Sequence, residues 1–332
     1  MTRLFFSGRA VIRKEPLGRD AERRLGQEVA MLERLRGVVG VVQLVEAPRY
    51  PGSVVLEDVG GRSLAEVSGP LAVDELIELA VDLAAAVAGM HRRGVMHRDV
   101  TPANIVIGRD GKPCLVDFAL STPLAEIRPA FVHHTEIMGT LAYLAPEQTG
   151  RTGRSVDHRA DLYALGATLY ELATGEPPFG SGDPLRLTHD LLARVPTAPV
   201  ELDPNVPAPL SGIVMHLLEK EPDNRYQTAD GVVYDLERLR DAQARPASAA
   251  VRIGEHDVPL RLLPPSRLVG RDDEVAALHG AFVDALTGGC RGVLVSGTLG
   301  VGKRLWSISY GRWWPSGMAG SWPAGLISIG TI

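Results

Sequence analysis

The run His97-Arg98-Asp99-Val100-Thr101-Pro102-Ala103-Asn104 is followed, after a short interval, by Asp117-Phe118-Ala119. It sets out a carboxylate, an amide oxygen five positions on, and a second carboxylate. This is the donor set that moves phosphate from ATP to a hydroxyl: one carboxylate takes the hydroxyl proton, and two side chains hold Mg²⁺ on the triphosphate. Magnesium takes hard oxygen ligands and keeps part of its water and phosphate shell, so one Asn and one Asp are enough protein. Ile105-Val106-Ile107 and Cys114-Leu115-Val116 are short apolar runs, and Gly108-Arg109-Asp110-Gly111-Lys112-Pro113 between them has hairpin-turn composition. Asn104 and Asp117 are therefore expected at neighbouring ends of one two-stranded ribbon, close enough to share a metal.

Other elements must carry the rest of such a site. Residues 3–15 read as a strand, a tight turn at Ser7-Gly8-Arg9 and a second strand ending at Lys14. Residues 20–36 form an amphipathic helix through Leu25, Val29, Leu32 and Leu35, stopped by Gly37. Val41 to Leu44 and Val54 to Leu56 are β-rich and flank the turn signal Pro51-Gly52. Beyond Val59-Gly60-Gly61 the pattern turns helical, with Leu76, Leu79, Leu83, Val87 and Met90 at helical spacing. Further helices are expected at about 158–174, 184–194, 207–219 and 229–242. The pattern predicts a small β-rich lobe with one helix, a large helical lobe, and a cleft between Glu57-Asp58-Val59 and the loop of Asp99.

Composition sets the class. A chain of 332 residues has room for two domains. Apolar content of 45% with mixed charges excludes a disordered chain. Net charge is −5 and no basic block stands out, which argues against a nucleic-acid partner. Cys114 and Cys290 lie far apart without metal-type spacing, as in a reducing compartment. Met1 to Phe6 is too short an apolar run for a signal peptide, and no stretch reaches transmembrane length. A cytoplasmic protein without a membrane segment is expected.

The order His-Arg-Asp-x-x-x-x-Asn, then Asp-Phe, then Ala145-Pro146-Glu147 resembles a eukaryotic-type serine/threonine protein kinase over roughly residues 2–240. The resemblance implies an α+β, two-lobed protein-kinase-like fold with ATP and Mg²⁺ as cofactors. Its partners are protein substrates, with autophosphorylation among the outcomes. It implies that Lys14, held by Glu28, contacts the α- and β-phosphates. Backbone groups at Glu57 and Val59 hold the adenine, Asp99 takes the proton, and Asn104 and Asp117 bind the metal. Asp161, in Asp161-Leu162-Tyr163-Ala164-Leu165-Gly166, resembles the start of the central helix of the large lobe, and Arg225 resembles the partner of Glu147. Arg98 implies control by an activation-loop phosphate, with Thr135 the first candidate and Thr122 the second. Gly139-Thr140 implies Ser/Thr acceptors rather than Tyr.

The sequence also departs from the pattern. Only thirteen residues precede Lys14, with no Gly-x-Gly-x-x-Gly among them, so the first strand and phosphate lid are expected to be missing or to lie upstream. Ala119 replaces a glycine, and Thr101 stands where such kinases place a lysine. A pseudokinase, acting as a nucleotide-binding or regulatory interaction module, remains the alternative.

After residue 240 the composition changes. Residues 241–266 read as a flexible linker. Residues 267–304 read as the start of an AAA-type P-loop ATPase, with Val269-Gly270-Arg271 and the loop Gly297-x4-Gly302-Lys303. Arg304 occupies the position of the metal-binding Ser/Thr, so this P-loop is expected to be vestigial. Residues 305–332 hold all four tryptophans and one charged residue, Arg312, and read as an aberrant tail from a shifted frame. This order resembles long bacterial proteins that join kinase, ATPase and sensor histidine kinase regions, here C-terminally truncated. Removal of everything beyond about residue 245 is expected to leave the kinase lobe intact.

Overall fold

The computed structural model describes residues 1–6, 8–15, 21–46, 52–67, 69–124, 141–152, 154–244 and 252–258, with a few helical positions between 273 and 284. The expected linker from 259 onward, the P-loop and the tail lie outside the described residues.

In the small lobe, β1 (Thr2–Phe6) and β2 (Arg9–Lys14) form an antiparallel hairpin with Phe6 opposite Arg9. Helix α1 (Ala21–Arg34) follows, and β3 (Val54–Glu57) pairs with the other edge of β2, Lys14 opposite Val54. β2 is thus the middle strand, which lets it hold a side chain rigidly against the core. Helix α1 turns Glu28, Met31 and Leu32 inward.

Val41 to Leu44 is corrected from a strand to two single bridges, Val41 with Leu115 and Leu44 with Leu56. Gln43 is the physical reason. Its amide nitrogen donates to the carbonyls of Val41 (2.8 Å) and Val38 (3.3 Å), and its amide oxygen accepts from Gly37 N at 2.9 Å. The side chain thereby satisfies backbone groups that a ladder would otherwise use. The segment instead ties the lobes together: Val42 N donates to Leu115 O (3.0 Å), and Leu115 N donates to Gly40 O (2.8 Å).

The large lobe begins with β4 (Arg62–Ser63) and α2 (Val73–Arg92), whose Leu76, Leu79, Leu83, Val87 and Met90 are all buried. Then come β5 (Val95–Met96), β6 (Ile105–Ile107), β7 (Pro113–Leu115) and β8 (Thr122–Pro123). Strands β4, β6 and β7 form one sheet, and β5 pairs with β8. The ribbon is β6–β7, with Ile105 opposite Leu115. Its second strand starts one residue earlier than expected, because Pro113 needs no ladder donor at a strand's first position. Helix α3 (Arg159–Thr174) is buried on nearly every side. Around the lobe run α4 (Pro184–Ala193), the short α5 (Pro199–Leu202), α6 (Ala208–Leu217) and α7 (Ala229–Ala244).

Two expectations about the end of this lobe are corrected. Helix α7 continues to Ala244, past the expected linker start at 241, and residues 252–258 fold back against α6 and α7 instead of remaining free.

Gly61 marks the tightest crossing between hinge and hairpin. It has φ +82°, and a Cβ there would sit 1.8 Å from the Ile107 carbonyl oxygen. Gly111 shares the left-handed conformation (φ +79°) but faces open space. Gly111→Ala should therefore cost only the conformational strain, about 1–2 kcal/mol. Gly61→Ala should cost clearly more, because β6 must also move. Urea unfolding of both variants checks this ranking.

Candidate active site

Lys14 is 7% exposed, and its ammonium donates to Glu28 Oε1 at 2.5 Å and to Asp117 Oδ1 at 2.9 Å. A buried ammonium is costly unless paired. Here one carboxylate comes from α1 in the small lobe and the other from the end of the hairpin in the large lobe. The side chain therefore spans the cleft.

The ribbon register brings the second pair together. Val116 N donates to Asn104 O at 2.9 Å, so the residues flanking β6 and β7 stay adjacent. Asn104 Nδ2 donates to Asp99 O (3.0 Å) and to Asp99 Oδ2 (2.8 Å). With Nδ2 committed in this way, Oδ1 is the face of the amide suited to a hard cation. Arg98 and Asp117 have φ +70° and +63°, a left-handed conformation that costs a non-glycine residue on the order of 1–3 kcal/mol.

Asp161, at the start of α3, holds this strained loop from behind. Its Oδ2 accepts from His97 N (2.9 Å) and from His91 Nε2 (2.9 Å), and its Oδ1 accepts from Arg98 N (2.7 Å). Burial pushes the carboxyl up, but the His91 hydrogen bond, electrostatic attraction to the neighbouring His91 and His97 rings, and the Arg98 amide outweigh it and keep the group below its ordinary value. The His97 ring lies 4.6 Å from that of Phe118 at 61°, and its Nε2 is 3.1 Å from Val116 O. Phe118 is fully buried and anchors Asp117 beside it.

Two supports went unread in the sequence. Gln148 Nε2 donates to Arg98 O (3.1 Å) while its Oε1 accepts from Ala145 N (2.9 Å). Ser63 Oγ donates to Pro102 O at 2.9 Å. Neither residue stands in a pattern that could have found it, apart from the adjacency of Gln148 to Glu147.

Glu147 and Arg225 meet through two parallel bonds, Nη1–Oε1 at 2.7 Å and Nη2–Oε2 at 2.8 Å. The guanidinium also donates to the carbonyls of Glu219 (2.6 Å), Lys220 (3.0 Å) and Arg159 (3.1 Å). All five of its donors are used.

At the hinge, the Glu57 carboxylate turns into the small lobe, where Oε1 accepts from Gln43 N at 3.1 Å. The Val59 carbonyl accepts from Arg109 N at 3.4 Å. A groove of about 780 Å³ behind the hinge is lined by Val41, Ala86, Arg109 and Cys114 but reaches neither Lys14 nor Asp117. Burial pushes the Cys114 thiol up to about 12, so it behaves as an apolar strand residue.

Burial lowers the Arg98 guanidinium, an effect opposed by Asp161. Thr122 stands in β8 with its hydroxyl oxygen buried, so phosphorylation there would require β5 and β8 to part first. Thr135, Gly297, Gly302 and Lys303 lie outside the described residues.

A sheet-rich lobe and a helical lobe, bridged by one lysine above a loop that carries an Asp–Asn pair, define a protein kinase domain. Residues 10–234 match the protein kinase domain family, and the chain belongs to it. It is 35% identical over 251 residues to serine/threonine-protein kinase PknB of Mycolicibacterium smegmatis, covering 74% of this chain and 40% of that protein. It is 34% identical over 227 residues to PknB of Mycobacterium tuberculosis, covering 67% and 36%. It is also 35% identical over 201 residues to the probable serine/threonine-protein kinase SCO3848 of Streptomyces coelicolor, covering 60% and 30%. The chain thus matches between 30% and 40% of the length of these relatives. Among the described residues no helix is long and apolar enough to cross a membrane.

Two outcomes follow from the buried charges. Glu147→Gln leaves the Arg225 guanidinium buried without its counter-charge and should lower the unfolding free energy by about 3–5 kcal/mol, read from chemical denaturation. Asp161 has a folded value below that of an unfolded aspartate, about 3.9. It therefore contributes stability at neutral pH that is lost as pH falls through the folded value. Asp161→Asn should flatten the acid limb of the stability profile below about pH 4, besides lowering stability at pH 7.

Proposed function

We propose that this domain transfers the γ-phosphate of Mg-ATP to serine and threonine hydroxyls of proteins in bacterial signalling, itself included. The observation that carries the reading is the joint geometry of Lys14 with Glu28 and Asp117, and of Asp99 with Asn104. Lys14, oriented by Glu28, binds the α- and β-phosphates. Asn104 and Asp117 hold Mg²⁺, the remaining ligands being phosphate oxygens and water. Asp99 accepts the proton of the substrate hydroxyl. Backbone groups at Glu57 and Val59 hold the adenine. Arg98, carried in a strained and largely buried loop, is the group that a phosphate on the activation segment, at Thr135, would order. The P-loop at Gly297, Gly302 and Lys303 takes no part, and the protein works in the cytoplasm.

One observation favours the pseudokinase alternative: Thr101 stands where a lysine would neutralise the γ-phosphate.

Asp99→Asn decides between the two. It removes the proton acceptor but keeps the hydrogen bond from Asn104. Label transfer from Mg-ATP to a basic protein substrate should fall by roughly 10²- to 10⁴-fold with the melting curve unchanged. Equal labelling by wild type and variant would sink the catalytic reading.

A further inference from the structure

Residues 252–258 form a strap against α6 and the first turns of α7, and Asp257 is its main anchor. The Asp257 carboxylate accepts from the amides of Gln227 and Thr228 (2.9 Å for the latter) and from the Thr228 hydroxyl at 2.8 Å. The same hydroxyl accepts from Gly231 N at 3.0 Å, so Thr228 caps α7 and Asp257 caps Thr228. The rest of the strap is fastened as well. Gly254 N donates to Asp235 Oδ2 (2.7 Å), the His256 ring stacks on Tyr234 at 4.0 Å, and Glu255 pairs with Arg238 at 3.7 Å.

The helices are shaped for it. A Cβ on Gly231 would lie 2.6 Å from Asp257 Oδ1 and 2.8 Å from its Cβ, and one on Gly212 would lie 2.5 Å from Ile253 Cδ1. Both glycines are within helices, where glycine costs about 1 kcal/mol relative to alanine. Their shared feature is the strap lying against them.

Asp257 is also one end of a continuous set of contacts that finishes at the catalytic loop. Gln227, held by Asp257 through its amide, presents its carbonyl to His158 Nε2 at 2.8 Å and its side-chain oxygen to Arg159 at 2.9 Å. Burial and the neighbouring His91 lower the His158 value, and with Nε2 2.8 Å from that carbonyl a ring hydrogen sits on Nε2. The His158 and His91 rings meet edge to face at 5.4 Å. His91 Nε2 bonds Asp161, which receives the amides of His97 and Arg98.

We propose that Asp257 is a positioning residue: by seating the strap on Gln227 it fixes His158 and His91, and through them the Asp161 carboxylate that holds the Asp99 loop in its strained conformation. The part of the proposal that concerns catalysis rests on the kinase reading. The coupling itself does not.

The test uses the full chain and three variants. Gly231→Ala presses a methyl group into Asp257 while improving the helix, so loss of function there cannot come from weaker helix propensity. Asp257→Ala removes the anchor. Asp257→Asn keeps one accepting oxygen but turns an amino group toward one of the two backbone amides, so it removes half of the anchor. The readouts are amide hydrogen exchange, and kcat and KM for ATP with a basic protein substrate. Gly231→Ala and Asp257→Ala should speed exchange at Gln227, Thr228, His97 and Arg98 but not in α4. They should lower kcat roughly twofold to thirtyfold with KM for ATP unchanged. Asp257→Asn should fall between Asp257→Ala and the wild type in both readouts. Faster exchange at Gln227 and Thr228 with unchanged exchange at His97 and Arg98 would overturn the proposal. If the wild type transfers no phosphate, the kinase reading fails while exchange at His97 and Arg98 still decides the coupling.

Discussion

Two backbone amides of a loop with no regular structure donate to one buried carboxylate, and most of what the large lobe does depends on that arrangement. Arg98 sits at φ +70°, which a side-chain-bearing residue adopts only when its surroundings compel it. Asp161 compels it, because the amides of His97 and Arg98 have their acceptor only in that conformation. The carboxylate projects from α3, the most enclosed helix of the lobe, so its position is set by packing rather than by solvent. Beyond the stability it contributes at neutral pH, this carboxylate sets geometry: it selects one loop conformation out of many.

The two lobes are joined by polar contacts as much as by apolar ones. Lys14 bonds a carboxylate on each side of the cleft, and Val42 and Gly40 exchange backbone hydrogen bonds with Leu115 behind it. These contacts act on the same hairpin. β7 is consequently held by the small lobe even though its strand partner belongs to the large one, and Asp117 follows from β7 by two residues.

What the sequence disclosed about this site follows from distance along the chain. Asp99, Asn104 and Asp117 lie within one loop and one hairpin, so their proximity could be read from spacing and turn composition. Lys14 and Glu28 come from separate elements and were legible only through their order relative to the others. His91, His158, Gln227 and Asp257 were not legible. Each is a lone polar residue, and their association arises from the packing of α2, α3 and α7 and the return of the chain after α7. Local propensity misled at Val41 to Leu44, where a β-branched run is diverted by the side chain of Gln43 between them. The helices were recovered nearly whole, because an apolar stripe of four or five turns outweighs any single exception.

Lys14 has an electrostatic consequence for whatever enters the cleft. One ammonium faces Glu28 and Asp117, and Asp99 stands on the adjoining loop; the one positive and three negative formal charges leave a floor with two negative charges in excess. A polyanion arriving alone is repelled by that floor at short range, where little water intervenes to screen it. An anion already paired with a divalent cation carries less net negative charge and presents the cation to the carboxylates, so the same floor disfavours it less than a bare polyanion.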